Sequence, residues 1–180
     1  MRVPCRATGA LMLSFVPDTI RVRIATAADA EATAAIYNAE VLGAMTTFDL
    51  VPRTVRAQQG WLAGHGGVYP AVVAEVDGGV LGFGALSPYR NRPAYATTVE
   101  DSVYVDEGAR GQGTGRAILT RLTELARSGG FHTVIAHIAG DNDASVALHQ
   151  ACGFALVGVE REIGRKFGTW LDVAIFQYML

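Results

Sequence analysis

Apolar and charged positions alternate along Ile20-Arg21-Val22-Arg23-Ile24 with the period of a half-buried strand. Thr26 then stands as a helix cap, and the Ala-rich stretch through Leu42, with Ile36, Val41 and Leu42 at helical spacing, predicts a helix. Residues 43–52 break the pattern and read as an irregular connection carrying Thr46, Thr47, Phe48 and Asp49. Thr54 opens a short helical stretch ending near Gly64. Residues 71–76 and 80–86 are two strands flanking Asp77-Gly78-Gly79, and Asp-Gly readily supplies the positive φ of a hairpin turn.

A loop over 87–96 leads to a strand over 97–105 and then to a glycine-punctuated turn. Residues 113–127 predict a helix, because Ile118, Leu119, Leu122, Leu125 and Ala126 share a face, and Gly129-Gly130 ends it. A β-branched strand over 131–138, a short helix over 142–151 and strands over 154–159 and 171–179 complete the chain. The order is βααβββαβαββ, without repeats, low-complexity segments or a dividing linker. It predicts a single α+β domain over residues 20–180.

Composition narrows the function. At 180 residues the chain can bury a core without disulfides or metals. Net charge is -2 and the 15 basic residues are dispersed, which argues against a nucleic-acid partner. Cys5 and Cys152 are the only cysteines and have no paired spacing, in keeping with a reducing, cytoplasmic setting. Residues 1–19 imitate a secretory signal, since Arg2 and Arg6 precede an apolar run over 11–16. That run is short and no small-x-small cleavage site follows, so the segment is expected to be a disordered extension or a misassigned start, with Met12 as the alternative initiator. No stretch approaches the ~18 apolar residues of a membrane span, so a soluble protein is expected. No His, Cys, Asp and Glu combination has metal-ligand spacing, and no metal is expected.

The chemistry concentrates between the strand over 97–105 and the helix after it, in Arg110-Gly111-Gln112-Gly113-Thr114-Gly115-Arg116. Glycines allow positive φ and close approach of the backbone to a ligand. The first amides of a helix lack intrahelical partners, so several N–H donors converge on one phosphate or pyrophosphate. Arg110 and Arg116 add positive charge. The loop lacks the Lys-Ser/Thr ending of a Walker A motif, and its glycines do not have GxGxxG spacing. Taken alone, it could still be a turn that only redirects the chain.

A second element follows about thirty residues later: Asn142-x-x-Ser145-x-x-Leu148-His149-x-x-x-Gly153-Phe154. With Arg110-x-x-Gly113-x-Gly115 it resembles the GNAT superfamily of N-acetyltransferases. Tyr89-Arg90-x-Arg92-x-Ala94-Tyr95, Thr98-Val99-Glu100-x-Ser102-Val103-Tyr104-Val105 and Gly164-x-Lys166-x-Gly168-x-Trp170-x-Asp172-Val173 are similar to its phosphinothricin and methionine sulfoximine acetyltransferase branch. The resemblance covers about residues 20–178. It implies the GNAT fold, a mixed central sheet of six to seven strands flanked by about four helices. It also implies acetyl-CoA as cosubstrate, a small amino-acid-like acceptor and a homodimer. An acceptor of another kind, such as a different amine or a protein N-terminus, is the alternative.

The resemblance assigns roles as well. The loop from Arg110 through Gly111, Gln112, Gly113, Thr114, Gly115 and Arg116 would hold the cofactor pyrophosphate, the backbone of Val103, Tyr104 and Val105 its pantetheine arm, and Asn142 and Ser145 a further part. Acyl transfer to an amine needs a neutral nitrogen and a donor for the developing oxyanion. Glu100 is the candidate base, and Asp101 should point to the opposite face of its strand. A backbone amide near Val103 is the candidate oxyanion donor. His149 occupies a position where many superfamily members carry a Tyr thought to protonate the leaving thiolate; it is either that acid or a packed helix residue. Arg90, Asn91, Arg92, Tyr95, Asp101, Ser102 and Phe48 are candidates for substrate contact, the arginines through a carboxylate or phosphinate. His65, His132 and His137 read as structural or exposed, and Lys166 and Trp170 as dimer-related or pocket-lining.

Overall fold

The computed structural model describes residues 19–180; the extension expected at the N-terminus lies, but for Thr19, outside them. The elements run β1 (Arg21–Ile24), α1 (Ala30–Gly43), α2 (Val55–Gly64), β2 (Ala71–Val76), β3 (Gly79–Pro88), β4 (Thr98–Val105), α3 (Thr114–Ser128), β5 (Thr133–Ala139), α4 (Asp143–Ala151), β6 (Ala155–Lys166) and β7 (Thr169–Met179). This is the order expected. Seven strands form one sheet, β1-β2-β3-β4-β5-β7-β6, in which only β4 and β5 run parallel.

Local chemistry sets the element ends. Asp29 accepts the Thr26 backbone N–H at 2.7 Å, so a 3-10 turn over Ala27–Asp29 precedes α1 and delays its start. Thr54 Oγ1 accepts from the Ala57 amide and caps α2. Asp77 and Gly78 have φ of 48° and 82°, the positive pair that the β2–β3 hairpin turn requires.

β6 continues well beyond the expected 154–159, through Lys166, and returns into β7 through a tight turn at Phe167 and Gly168, both at positive φ. Glu160, Arg161 and Glu162 carry charges that suit solvent. Here they sit on an exposed edge strand, interrupted by a register shift between Glu160 and Gly164.

The two faces of the sheet are covered unequally. On one face Ile118, Leu119, Leu122 and Ala126 of α3 pack on Val72, Ala74, Val99, Val134, Ala136 and Ile138. On the other, Ile36, Tyr37 and Val41 of α1 pack on Val73 and Phe83 beside Tyr104. Gly84 makes the first contact close: a Cβ there would sit 2.7 Å from both the Ser102 carbonyl oxygen and Ile118 Cγ2. Among the described residues, no helix is long and apolar enough to cross a membrane.

Candidate functional site

β4 and β5 are registered through Thr98–Thr133, Val99–Val134 and Glu100–Ile135, and beyond Glu100 they part. From Asp101 to Val105 the backbone of β4 is therefore without a partner strand on its β5 side. Into this opening falls a cavity of about 440 Å³, lined at one end by Glu100 and His137 and at the other by Gly111, Gly113, Thr114, Gly115 and Arg116. The parting of two strands and the start of α3 thus make one continuous groove.

The glycine turn has the geometry its sequence suggested. Gly111 and Gly113 take φ of 73° and 89°, and a Cβ at either would meet nothing within 4 Å, so the turn is open for close approach. Gly113 is the residue before α3, whose first amides are exposed to the groove. Open glycines, free helix amides and unpaired strand backbone suit a long, flexible ligand ending in a pyrophosphate. The side chains divide the work unevenly. Arg116 lines the groove, whereas Gln112 donates to the Gly108 carbonyl and Thr114 Oγ1 to that of Ala109, which leaves these two only their backbone for a ligand. Half-exposed Arg110 is ion-paired with Glu40, a buried cavity-lining residue that the sequence did not single out. Glu40 also accepts from Thr46 Oγ1 at 2.6 Å.

Alternation along β4 sends neighbouring carboxylates to opposite faces, as expected. Glu100 shares the α1 side with His137, whose Nδ1 lies 3.0 Å from Glu100 Oε1. The Glu100 contact raises the His137 pKa against the opposing effect of burial. Asp101 turns to α4 and is buried against His149, with Oδ2 to Nε2 at 3.1 Å. Burial pushes the Asp101 carboxyl up, further than the imidazole pulls it down. Burial opposes the His149 imidazolium, yet the hydrogen bond and charge of Asp101 outweigh it and raise its pKa. His149 Nδ1 faces the Ser145 carbonyl oxygen at 2.8 Å, an acceptor only, so Nδ1 carries a proton. Asn142 Oδ1 caps α4 by accepting the Ser145 amide, and its side-chain NH2 stays available.

The expected loop residues lie apart from the cavity. Arg90, Asn91, Arg92 and Tyr95 belong to an exposed loop around a 3-10 turn, with Arg90 packed over the rings of Tyr89 and Tyr95. The loop reaches the site through Tyr89, whose ring lies parallel to that of His137. Ser102 lines the cavity; Phe48 instead covers Gly164, where a Cβ would collide with its ring. Lys166 is buried, donating to the carbonyls of Glu40 and Thr47 and so fastening β6 to the end of α1. Trp170 is exposed. His65 binds the Trp61 carbonyl and His132 faces solvent, as expected, but His137 sits in the cavity. The signal that would have found it is register: with β4 and β5 parallel, the residue two beyond Ile135 must share the face of Glu100.

Comparison with known proteins follows the same lines. Residues 32–154 match the model of the acetyltransferase (GNAT) family. A phosphinothricin N-acetyltransferase of Streptomyces coelicolor is 39% identical over 162 residues, covering 88% of this chain and 95% of the relative. An L-methionine sulfoximine/L-methionine sulfone acetyltransferase of Pseudomonas aeruginosa is 37% identical over 163 residues, covering 88% and 94%. The crystal structure of a GNAT superfamily phosphinothricin acetyltransferase from Sinorhizobium meliloti in complex with acetyl-CoA superposes with a TM-score of 0.83 at 39% identity, covering 90% of this chain and 89% of that one.

Proposed function

The chain belongs to the acetyltransferase (GNAT) family, and from that premise we propose that it acetylates the α-amino group of a small amino acid of the methionine sulfoximine, methionine sulfone or phosphinothricin type. The observation that carries the reading is Glu100 standing where β4 leaves β5, with the open glycine turn at the far end of the same groove. Bound acetyl-CoA supplies the acetyl group as a thioester and leaves as a thiolate.

The chain's residues do the rest. The amides of Gly113 to Gly115 and Arg116 would hold the pyrophosphate, and the unpaired backbone of Val103 to Val105 the pantetheine arm. Glu100, at the end of the groove where β4 leaves β5, receives the ammonium end of the acceptor, from which a proton must be drawn before the nitrogen can attack. A β4 amide near Val103 would donate to the acyl oxygen, where a fixed donor stabilises developing negative charge. Arg90 and Arg92, on the exposed loop that reaches the site through Tyr89, supply charge-assisted donors for the acceptor's acidic groups.

Two further features fit this reading. Leu156, Val157, Val159, Ile163, Phe167 and Trp170 expose apolar surface along the edge hairpin β6–β7, which supports a homodimer formed there. Among the described residues the half-buried Cys152 is unpaired, which suits a reducing cytoplasmic compartment.

Thiol release from acetyl-CoA, followed across a panel of free amino acids, other amines and short peptides, tests the acceptor class. Turnover confined to amino acids supports the proposal. Turnover of peptides or other amines with none of free amino acids replaces it.

A further inference from the structure

Resting on the acetyl-transfer reading, we propose that His137 is the group that takes the acceptor's proton, with Glu100 as the residue that orients it. The parting strands bring the two groups together. His137 is two positions past the last registered pair, on the Glu100 face, and half-buried in the cavity wall. Its Nδ1 lies 3.0 Å from Glu100 Oε1. Two lone pairs at that distance repel, so the neutral ring carries its hydrogen on Nδ1 and leaves the lone pair on Nε2. Tyr89 fixes the ring plane from outside, its own ring lying parallel at 6° and a centroid distance of 6.0 Å. A carboxylate that holds one nitrogen of a cavity-lining imidazole is the arrangement that makes the ring a general base.

The step balances simply. An N–H bond of the acceptor ammonium breaks, its electron pair stays on nitrogen, and the proton bonds to His137 Nε2. The pair passes from carboxylate plus neutral imidazole to carboxylate plus imidazolium, an internal ion pair. The charged groups around the ring agree with this direction on balance: Glu100 on β4 and Glu160 on β6 favour the imidazolium, while burial and Arg90 on the loop oppose it. The net shift is upward, which strengthens the base while leaving it able to titrate above the ordinary imidazole value of ~6.5.

The test compares wild type, His137→Gln, His137→Asn and Glu100→Gln, the two His137 variants guarding against loss of folding in either. Three quantities are read: the pH profile of kcat/KM for the amino-acid acceptor, the acetyl-CoA Kd, and the NMR titration of the His137 ring in free protein. The expected result is a fall of about 10²–10⁴-fold in kcat/KM for both His137 variants, the range for loss of a general base, with loss of the acidic limb and unchanged Kd. In Glu100→Gln the NMR midpoint of His137 drops toward the ordinary imidazole value. Variants of His137 within about threefold of wild type would overturn the proposal. So would a loss of rate with the acidic limb unmoved, which marks a packing role, or a His137 midpoint indifferent to Glu100→Gln. A wild type that acetylates no free amino acid sinks the acceptor reading itself, an outcome told apart because it precedes any variant.

Discussion

Asp101 Oδ2 and His149 Nε2 meet at 3.1 Å with side chains 1% and 4% exposed, so β4 and α4 are joined by a buried carboxylate–imidazole pair. Both pKa values are raised, Asp101 chiefly by burial and His149 by Asp101 in spite of burial. The folded pair therefore keeps its proton to higher pH than the unfolded chain does. A raised folded pKa contributes stability that is fully present below the unfolded value and is lost as pH climbs through the folded one; for His149 that loss begins above ~6.5. The urea midpoint of the wild type should therefore fall as pH rises above ~6.5. In Asp101→Asn it should be lower at the acid end and respond less to pH. Equal pH responses in the two proteins would contradict a shared buried proton.

Arg110 is paired with Glu40 across the mouth of the groove, and Glu40 competes for the guanidinium with any polyanion bound at the turn. Glu40→Gln should tighten acetyl-CoA binding by up to about fivefold, the range set by a partly exposed ion pair of 0.2–1 kcal/mol. Arg110→Ala should weaken it, more so at low ionic strength. Isothermal titration at two salt concentrations checks both signs.

Gly113 precedes α3 at φ 89° in open space, so a substitution there acts through the backbone and meets no steric neighbour. Gly113→Ala should cost about 1–2 kcal/mol in urea unfolding, the penalty for an L-residue held left-handed. Acetyl-CoA affinity should fall as well. Gly84→Ala is the contrasting case: its Cβ would meet backbone and Ile118 at 2.7 Å, giving about 1–3 kcal/mol of overpacking with little change in acetyl-CoA affinity once folded.

The sequence carried most of the fold, since strand alternation, helix caps and the Asp-Gly turn act locally. It failed where tertiary context decides. The continuation of β6 through charged Glu160–Glu162 depends on lying at a sheet edge, which no local pattern records. The site was legible in the same measure. Glu100 and the glycine turn announce themselves by type and spacing, and alternation put Asp101 on the opposite face. Glu40 and His137 did not, because each is defined by a partner 70 or 37 residues away, Arg110 and Glu100, brought close by helix docking and by the parallel register of β4 with β5. The arginines of the 89–96 loop show the converse: suggestive in sequence, they are exposed in the structure and outside the cavity.

The most direct test of the account is the product formed when the purified protein is given acetyl-CoA and L-methionine sulfoximine at neutral pH, identified by mass spectrometry and NMR. The account predicts one acetyl group on the α-nitrogen, stoichiometric thiol release, and loss of both in Glu100→Gln with acetyl-CoA binding retained. Unmodified amino acid from wild type, or an equal yield from Glu100→Gln, would contradict it.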